Sequence, residues 1–519
     1  MKQLFKYIAV FILFFTVFLG WHSLINDFLG TDPYYHSKHS YLMLENKDFT
    51  LVEAWSKFHF LENAPVDLWW AYHLAQAGLI YFFSIIWGTK VLTAISASFV
   101  FTFFYFVLNK FKISRPFVWT TLLLFSSVSF TSRMLLERPL IGSVALALLG
   151  YYFIAKKKYV SLFILTIFFA LYHQMCLMIL IPLFFYYLAE FYIDKQIDLK
   201  LAVASLGGLL FGIILHPNAL NYINTLYITY WQIFYLKFSG VNLSIGSELQ
   251  TFFLSHLIDD NLVLFIFFIF TLALFFKELL EKKIKDKILL SLFLISLFWF
   301  LVSILIIRGV EYWAPFGLLF IAVAFDRIKK TNDYEIAGKF IKDRIKPRIV
   351  LFFISAVVIL FLINNALNIF FMINGVNKNN KNIYFKEAND WLISNTEKGE
   401  TIFYPIWSMF PRMFFYNNHN NYLTAFDPTF FYEYNPKTYY IWNNISQHGV
   451  YCDKEWPCLD ISARNEIKIL KKALVIVLNS KYILLQNNNS KLYRTLGFRN
   501  RDFFKVYENK ELAIFKIVD

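Results

Sequence analysis

Asn26-Asp27-Phe28-Leu29-Gly30-Thr31-Asp32-Pro33-Tyr34-Tyr35-His36 follows directly on an apolar run that begins near Phe5 and passes Trp21 without a small-residue cleavage site. That run reads as a retained membrane helix rather than a removable leader. The quoted stretch therefore sets two carboxylates, Asp27 and Asp32, at a membrane surface. Acids in such a place are either solvated loop residues or hard oxygen ligands for a divalent cation. Mg2+ or Mn2+ held there neutralises charge on a departing phosphate or diphosphate.

Working outward, the rest of the chain fits a membrane setting. Of 519 residues, 58% are hydrophobic and only 17% charged, more apolar side chain than one soluble core can bury. Apolar runs fall near residues 5–25, 89–109, 117–134, 139–155, 159–172, 175–193, 200–215, 258–276, 288–307, 311–326 and 348–370, about eleven spans. Residues 374–519 return to ordinary soluble composition. The expected fold class is a polytopic α-helical membrane protein with a C-terminal extracytoplasmic α/β domain. Residues 1–373 would form the membrane domain, with a large first outer loop at 26–88, and 374–519 the outer domain.

The formal net charge is +14, but the basic residues sit in short clusters between apolar runs and not along an aromatic-lined face, which argues against nucleic acid as a partner. They read as orientation signals. Lys110, Lys112 and Arg115 form one cluster; Lys156, Lys157 and Lys158 a second; Lys277, Lys282, Lys283, Lys285 and Lys287 a third. The segment from Arg327 to Arg348 adds more, whereas the alternate loop from His216 to His256 holds Lys237 as its single Lys or Arg. The asymmetry places the N-terminus inside and the C-terminal domain outside an inner (cytoplasmic) membrane. The run Leu68 to Trp87 is broken by His73 and Gln76, and reads as a helix on or re-entering the outer surface.

Asp32-Pro33-Tyr34-Tyr35-His36, followed by Ser37-Lys38-His39-Ser40-Tyr41-Leu42, resembles the Asp-Pro-aromatic-aromatic motif after the first span of oligosaccharyltransferase catalytic subunits, members of the GT-C glycosyltransferase superfamily. The resemblance implies many spans, a large first outer loop and an extracytoplasmic C-terminal domain. It also implies that Asp32 is catalytic, serving metal binding and acceptor activation, and that Tyr35 and His36 lie near substrate. The family's second outer acidic position corresponds to Arg133-Met134-Leu135-Leu136-Glu137-Arg138-Pro139-Leu140, where a single acid stands instead of a pair. Glu137 is thus the metal partner of Asp32, or else pairs with Arg133 or Arg138 at a helix end. Arg308, in Ile307-Arg308-Gly309-Val310-Glu311, has the position of the late basic residue that grips the donor phosphate in GT-C enzymes. Its planar fork suits a phosphate, and the alternative is a structural pair with Glu311.

The outer domain opens with a helix pattern from Phe385 to Ser394 and a strand from Thr401 to Pro405. Further strand-like runs are 473–477 and 482–486, and 503–507 with 512–518 form a hairpin pattern. Where the resembled family has a Trp-Trp-Asp motif, this chain has Ile406-Trp407-Ser408. Trp407, Arg412 and Asp427, with Arg138 and Glu311, complete the candidate substrate-binding set, since aromatics stack on sugar faces. Cys452 and Cys458, six residues apart around a proline, are expected as a disulfide in an oxidising compartment.

Together these readings predict a transferase that moves a sugar from a polyprenyl phosphate or diphosphate to an acceptor glycan, lipid or protein, among membrane lipids. The rivals are a flippase of lipid-linked sugars and a non-catalytic GT-C-like protein. The near absence of ions in mid-span disfavours transport. No Gly-rich phosphate loop, serine-hydrolase elbow or H-E-x-x-H pattern occurs.

Overall fold

The computed structural model describes residues 2–241, 243, 246, 248, 254–281, 285–328, 347–378, 381–458, 466–487, 490–497 and 501–518. Lys282, Lys283 and the basic segment 329–346 lie outside them. The chain divides into two compact units. The first comprises Met1–Leu29, Thr89–Leu215 and Ser247–Lys378; the second comprises Gly30–Gly88, His216–Gly246 and Asn379–Asp519. The second thus gathers most of the first outer loop and a middle segment with the C-terminal region.

Among the described residues the first unit is built of helices, and these follow the apolar runs of the sequence. Gln3–Ser23, Ile85–Lys110, Gln174–Asp194, Leu262–Leu280, Lys287–Leu305 and Ile307–Arg327 are long and apolar enough to cross a membrane. Pro116–Phe125, Leu140–Ala155, Tyr159–Tyr172 and Leu199–Leu215 are apolar but shorter. At about 1.5 Å per residue these four reach roughly 15–25 Å, less than a hydrocarbon core of about 30 Å. Six helices are thus long and apolar enough to cross, and helix Pro347–Lys378, 32 residues long, covers the apolar run at 348–370.

The expected span 117–134 breaks after Phe125. Ser127 caps a new short helix, Val128–Arg133, by accepting from the Phe130 amide. Close helix contact rests on small residues. A Cβ on Gly208 would meet the Phe163 carbonyl oxygen at 2.4 Å, and one on Gly212 the Ile167 carbonyl oxygen at 2.7 Å. Glycine at these points lets helix Leu199–Leu215 lie against Tyr159–Tyr172 backbone to backbone.

The second unit is built on a five-stranded sheet of order β2-β1-β3-β5-β4. The strands are β1 Thr401–Phe403, β2 Asn421–Tyr422, β3 Ser480–Gln486, β4 Phe503–Glu508 and β5 Leu512–Ile517. β1 runs parallel to β2 and β3, while β5 is antiparallel to β3 and β4. Ser56 of the first outer loop bridges to Tyr422 and extends the sheet edge. The core joins Phe403, Phe410, Phe414, Trp442, Ile483 and Phe515 with Tyr35 and Leu42 from the first outer loop. Cys452 and Cys458 are disulfide-bonded.

Residues 473–477 are not a strand. Ala473–Val477 continues helix Glu466–Lys472 as a wide helical turn, with Ala473 and Leu474 buried and Ile476 exposed. A five-residue apolar run carries no period that separates a strand from a helix end, and tertiary packing decides it.

The run from Leu68 to Trp87 contains helix Trp70–Phe82, 13 residues long. That is too short to span, as its polar interruptions suggest. His73 and Gln76 are fully buried on the face that packs against helix Asp32–Glu45, where Ser40 donates to Gln76 at 2.8 Å.

Candidate functional site

In the first unit, three arginines converge on two carboxylates. Arg133 ends helix Val128–Arg133, Arg138 lies five residues on, Arg308 occupies the single turn Ile307–Gly309, and Glu311 opens helix Val310–Ile328. Glu248 completes the set. Arg138 Nη1 donates to Glu248 Oε1 and Oε2 at 3.0 and 3.1 Å, while its Nη2 donates to Glu311 Oε1 at 3.1 Å. Arg133 bonds Glu311 through Nε and reaches Glu248 at 3.3 Å. Arg308 Nε donates to Glu248 Oε2 at 2.6 Å.

Burial alone would raise the Glu248 carboxyl, but the Arg138, Arg308 and Arg133 charges beside it outweigh burial and hold it well below the usual carboxylate range. Among the described residues, three guanidiniums stand against two carboxylates, one positive charge in excess. Arg308 and Glu248 are about a third exposed, whereas Arg133, Arg138 and Glu311 are buried. The accessible edge of the cluster is thus the Arg308 guanidinium fork with its Glu248 partner.

The position of this cluster along the helices is informative. Helix Lys287–Leu305 has Lys287 at one end and Arg308 just past the other, about 28 Å away at 1.5 Å per residue. Helix Leu140–Ala155 likewise runs from Arg138 to Lys156–Lys158. At the lysine end, Lys157 pairs with Glu190 at 2.8 Å and Asp198 at 3.1 Å, Lys287 with Asp194, and Arg327 with Asp286 at 2.8 Å. The basic loops and the arginine cluster occupy opposite ends of the first unit.

Glu137 is fully buried in the same unit. Its Oε2 accepts from the Leu29 amide at 2.9 Å and its Oε1 lies 3.4 Å from His22 Nδ1, without a hydrogen bond among the described residues. Its sequence neighbours Arg133 and Arg138 turn to Glu311 and Glu248. The Glu137 carboxylate thus faces the His22 imidazole and the Leu29 amide. Asp32 belongs to the second unit, where it is exposed at the first position of helix Asp32–Glu45.

The other candidate residues also lie in the second unit. Arg412 stacks its guanidinium over the Tyr34 and Phe385 rings at 5.6 and 5.5 Å. Asp427 caps helix Pro428–Tyr434, accepting from the Thr429 amide at 2.9 Å and from its hydroxyl. Trp407 sits half-buried in the turn Trp407–Met409. Tyr35 and His36 are buried, and His36 Nδ1 lies 2.8 Å from His73 Nε2.

Asp67 stands beside that pair. Its Oδ2 is 2.7 Å from His73 Nδ1 and 3.5 Å from His39 Nε2. Sequence reading singled out neither Asp67, His39 nor Glu248. The available signals were an acid enclosed by Val66 and Leu68, and two histidines one helical turn apart after Asp32-Pro33.

No family model matches the chain, and no curated protein matches it. Solved structures do. The Archaeoglobus fulgidus oligosaccharyltransferase in the apo form aligns with a TM-score of 0.63 at 12% identity, over 92% of this chain and 69% of that one. AglB of the same organism, in complex with an inhibitory peptide and a dolichol-phosphate, aligns with a TM-score of 0.61 at 11% identity, over 93% and 70%. ArnT from Cupriavidus metallidurans bound to undecaprenyl phosphate aligns with a TM-score of 0.57 at 12% identity, over 100% and 98%. At such identities the likeness is one of architecture, and it spans nearly the whole chain: this protein has the fold of the GT-C glycosyltransferases.

Proposed function

We propose that the protein is an integral membrane glycosyltransferase that takes a sugar from a polyprenyl phosphate or diphosphate at the outer membrane face and passes it to a glycan, lipid or protein acceptor. The observation that carries this reading is the Arg133–Arg138–Arg308 cluster with its excess positive charge, on a fold whose solved relatives hold dolichol-phosphate and undecaprenyl phosphate. Breaking a sugar–phosphate bond leaves negative charge on the departing phosphate, and fixed guanidiniums aimed at that charge stabilise it as it develops. Arg308 is the exposed member and takes the donor phosphate, exchanging Glu248 for it. Arg138 and Glu311 frame it from the buried side.

Asp32 orients the acceptor nucleophile. Asp32 and Glu137 would each serve as a ligand to a divalent cation, Mg2+ or Mn2+, which would supply further charge neutralisation. Trp407 and Arg412, both half-buried, are the proposed contacts to sugar and acceptor, whereas Tyr35 and His36 are buried and Asp427 caps its own helix. Purified protein in liposomes, given a radiolabelled polyprenyl-linked sugar, is expected to cleave or transfer the sugar. Movement of the intact donor between leaflets without bond cleavage would assign a flippase instead, and neither activity would leave a non-catalytic protein.

Arg308→Lys keeps the charge but loses the fork. Donor binding is expected to weaken by about 1–3 kcal/mol, the value of a charge-assisted hydrogen bond, with stability unchanged. Equal donor affinity with a lower melting temperature would give Arg308 a structural role only.

The positive-inside rule, applied to the basic loops at one end of the first unit, supports an orientation with the arginine cluster at the outer face, and the Cys452–Cys458 disulfide independently supports an oxidising compartment for the C-terminal region. A membrane-impermeant thiol reagent added to intact cells is expected to label Cys452 and Cys458 only after reduction. Labelling that requires a broken membrane and no reductant would reverse the orientation.

A further inference from the structure

We propose that His39, Asp67 and His73 form a structural site for a first-row transition-metal dication, zinc above all, which joins helix Asp32–Glu45 to helix Trp70–Phe82. The inference rests on the second unit alone and does not depend on the transferase reading.

The donor set comes first. One ligand atom from each residue, two imidazole nitrogens and a carboxylate oxygen, lies within 4.8 Å of the others, and all three side chains are buried. Two nitrogens and one oxygen suit Zn2+ and its first-row neighbours, whereas Mg2+ and Ca2+ take oxygen throughout. Around a tetrahedral ion with bonds of about 2.0–2.1 Å, ligand atoms stand roughly 3.3 Å apart. His39 Nε2 and Asp67 Oδ2 are already 3.5 Å apart. His73 Nδ1 and Asp67 Oδ2, at 2.7 Å, open by about half an ångström when a metal replaces the proton between them. The Leu51 carbonyl oxygen, 3.2 Å from His39 Nε2, stands ready as a fourth donor.

The surroundings supply the second argument. Metal-binding histidines engage their other ring nitrogen with a neighbour that fixes ring orientation. Here His73 Nε2 meets His36 Nδ1 at 2.8 Å, and His39 Nδ1 faces the Tyr35 hydroxyl at 3.5 Å. The unused oxygen of Asp67, Oδ1, accepts from the Trp69 amide at 3.0 Å, and its backbone carbonyl accepts from His216 at 2.9 Å. Each ligand is thus held from behind, leaving one donor atom aimed at a common point.

The ligands come from two helices and the turn before the second, so an ion here fixes the packing of the helix that begins with Asp32. Complete burial separates it from substrate and makes its role structural. The competing account is a metal-free hydrogen-bonded His–Asp–His network.

The test uses the full-length protein in detergent, stripped with a chelator and then titrated with Zn2+ or Co2+ alone. Expected are one equivalent of Zn2+ per chain resistant to excess Mg2+, the visible bands of tetrahedral Co2+, and a higher melting temperature with Zn2+. His39→Gln should abolish the cobalt bands and the zinc-dependent shift. His36→Gln should keep the bands and weaken binding by roughly 10- to 100-fold, the usual cost of losing an outer partner. If the variants fail to fold, X-ray absorption at the zinc edge of the wild type must show two imidazole ligands. Absence of tight Zn2+ binding by the wild type, or zinc with fewer than two imidazoles, overturns the proposal in favour of the metal-free network. An unaltered His39→Gln spectrum overturns it too, by placing the metal elsewhere.

Discussion

Transfer by the Asp32→Ala protein is expected to fall by roughly 10²–10⁴-fold, the contribution of a group that handles the nucleophile's proton, with a further loss where the cation leaves with its ligand. The fold should survive. Asp32 is exposed at the first position of its helix, where Thr31 is the N-cap residue. A carboxylate so placed contributes about 0.3–1 kcal/mol through the helix dipole. Pro33 at the next position keeps the helix start in register, since its ring presets φ. The measurement pairs a radiolabelled transfer assay with a melting curve. Wild-type turnover in a well-folded Asp32→Ala sample would remove Asp32 from the mechanism, and a collapsed melting curve would give it a structural role.

Removing Arg138 should damage the protein in a different way. Its guanidinium is 6% exposed and bridges Glu248 to Glu311. Arg138→Ala leaves the buried Glu311 with Arg133 and leaves Glu248 with Arg133 and Arg308. Breaking a buried ion pair from one side costs about 3–5 kcal/mol when the remaining charge is left bare, and here both carboxylates keep a guanidinium, which reduces the loss. The lower end applies, since Glu248 is 30% exposed and retains water. Denaturant unfolding in mixed micelles would report a stability loss of about 3 kcal/mol. Adding Glu248→Ala to Arg138→Ala should cost less than the sum of the two single changes, because the pair acts as a unit. Strict additivity would mean that the contact contributes nothing to folding.

The two candidate centres share a property that explains how each entered view. Asp32, Glu137 and Arg308 each stand beside a local signal: a proline at a helix start, an acid among apolar residues, an arginine at the end of an apolar run. Such signals are legible because helix initiation and the cost of placing charge next to lipid act over a few residues. Glu248 has no comparable signal, and the local signals at Asp67 and His39 do not reveal what these residues meet. Their partners are distant in sequence, with Glu248 110 residues from Arg138 and Asp67 149 residues from His216.

The sequence by itself determined the helical membrane class, the approximate place of nearly every apolar helix and the Asp-Pro-Tyr-Tyr stretch that resembles GT-C enzymes. Hydropathy and backbone preference are properties of neighbouring residues, so they survive without the fold. Tertiary structure alone decided that the apolar run before Ser126 breaks, that 473–477 winds as helix and that Trp70–Phe82 packs on Asp32–Glu45. It also chose Glu248 and Glu311 as the partners of Arg133 and Arg138 and gathered His39, Asp67 and His73. A buried charge or imidazole takes whichever partner the packed chain brings within about 3 Å, and that choice is made by long-range packing, which no local pattern records.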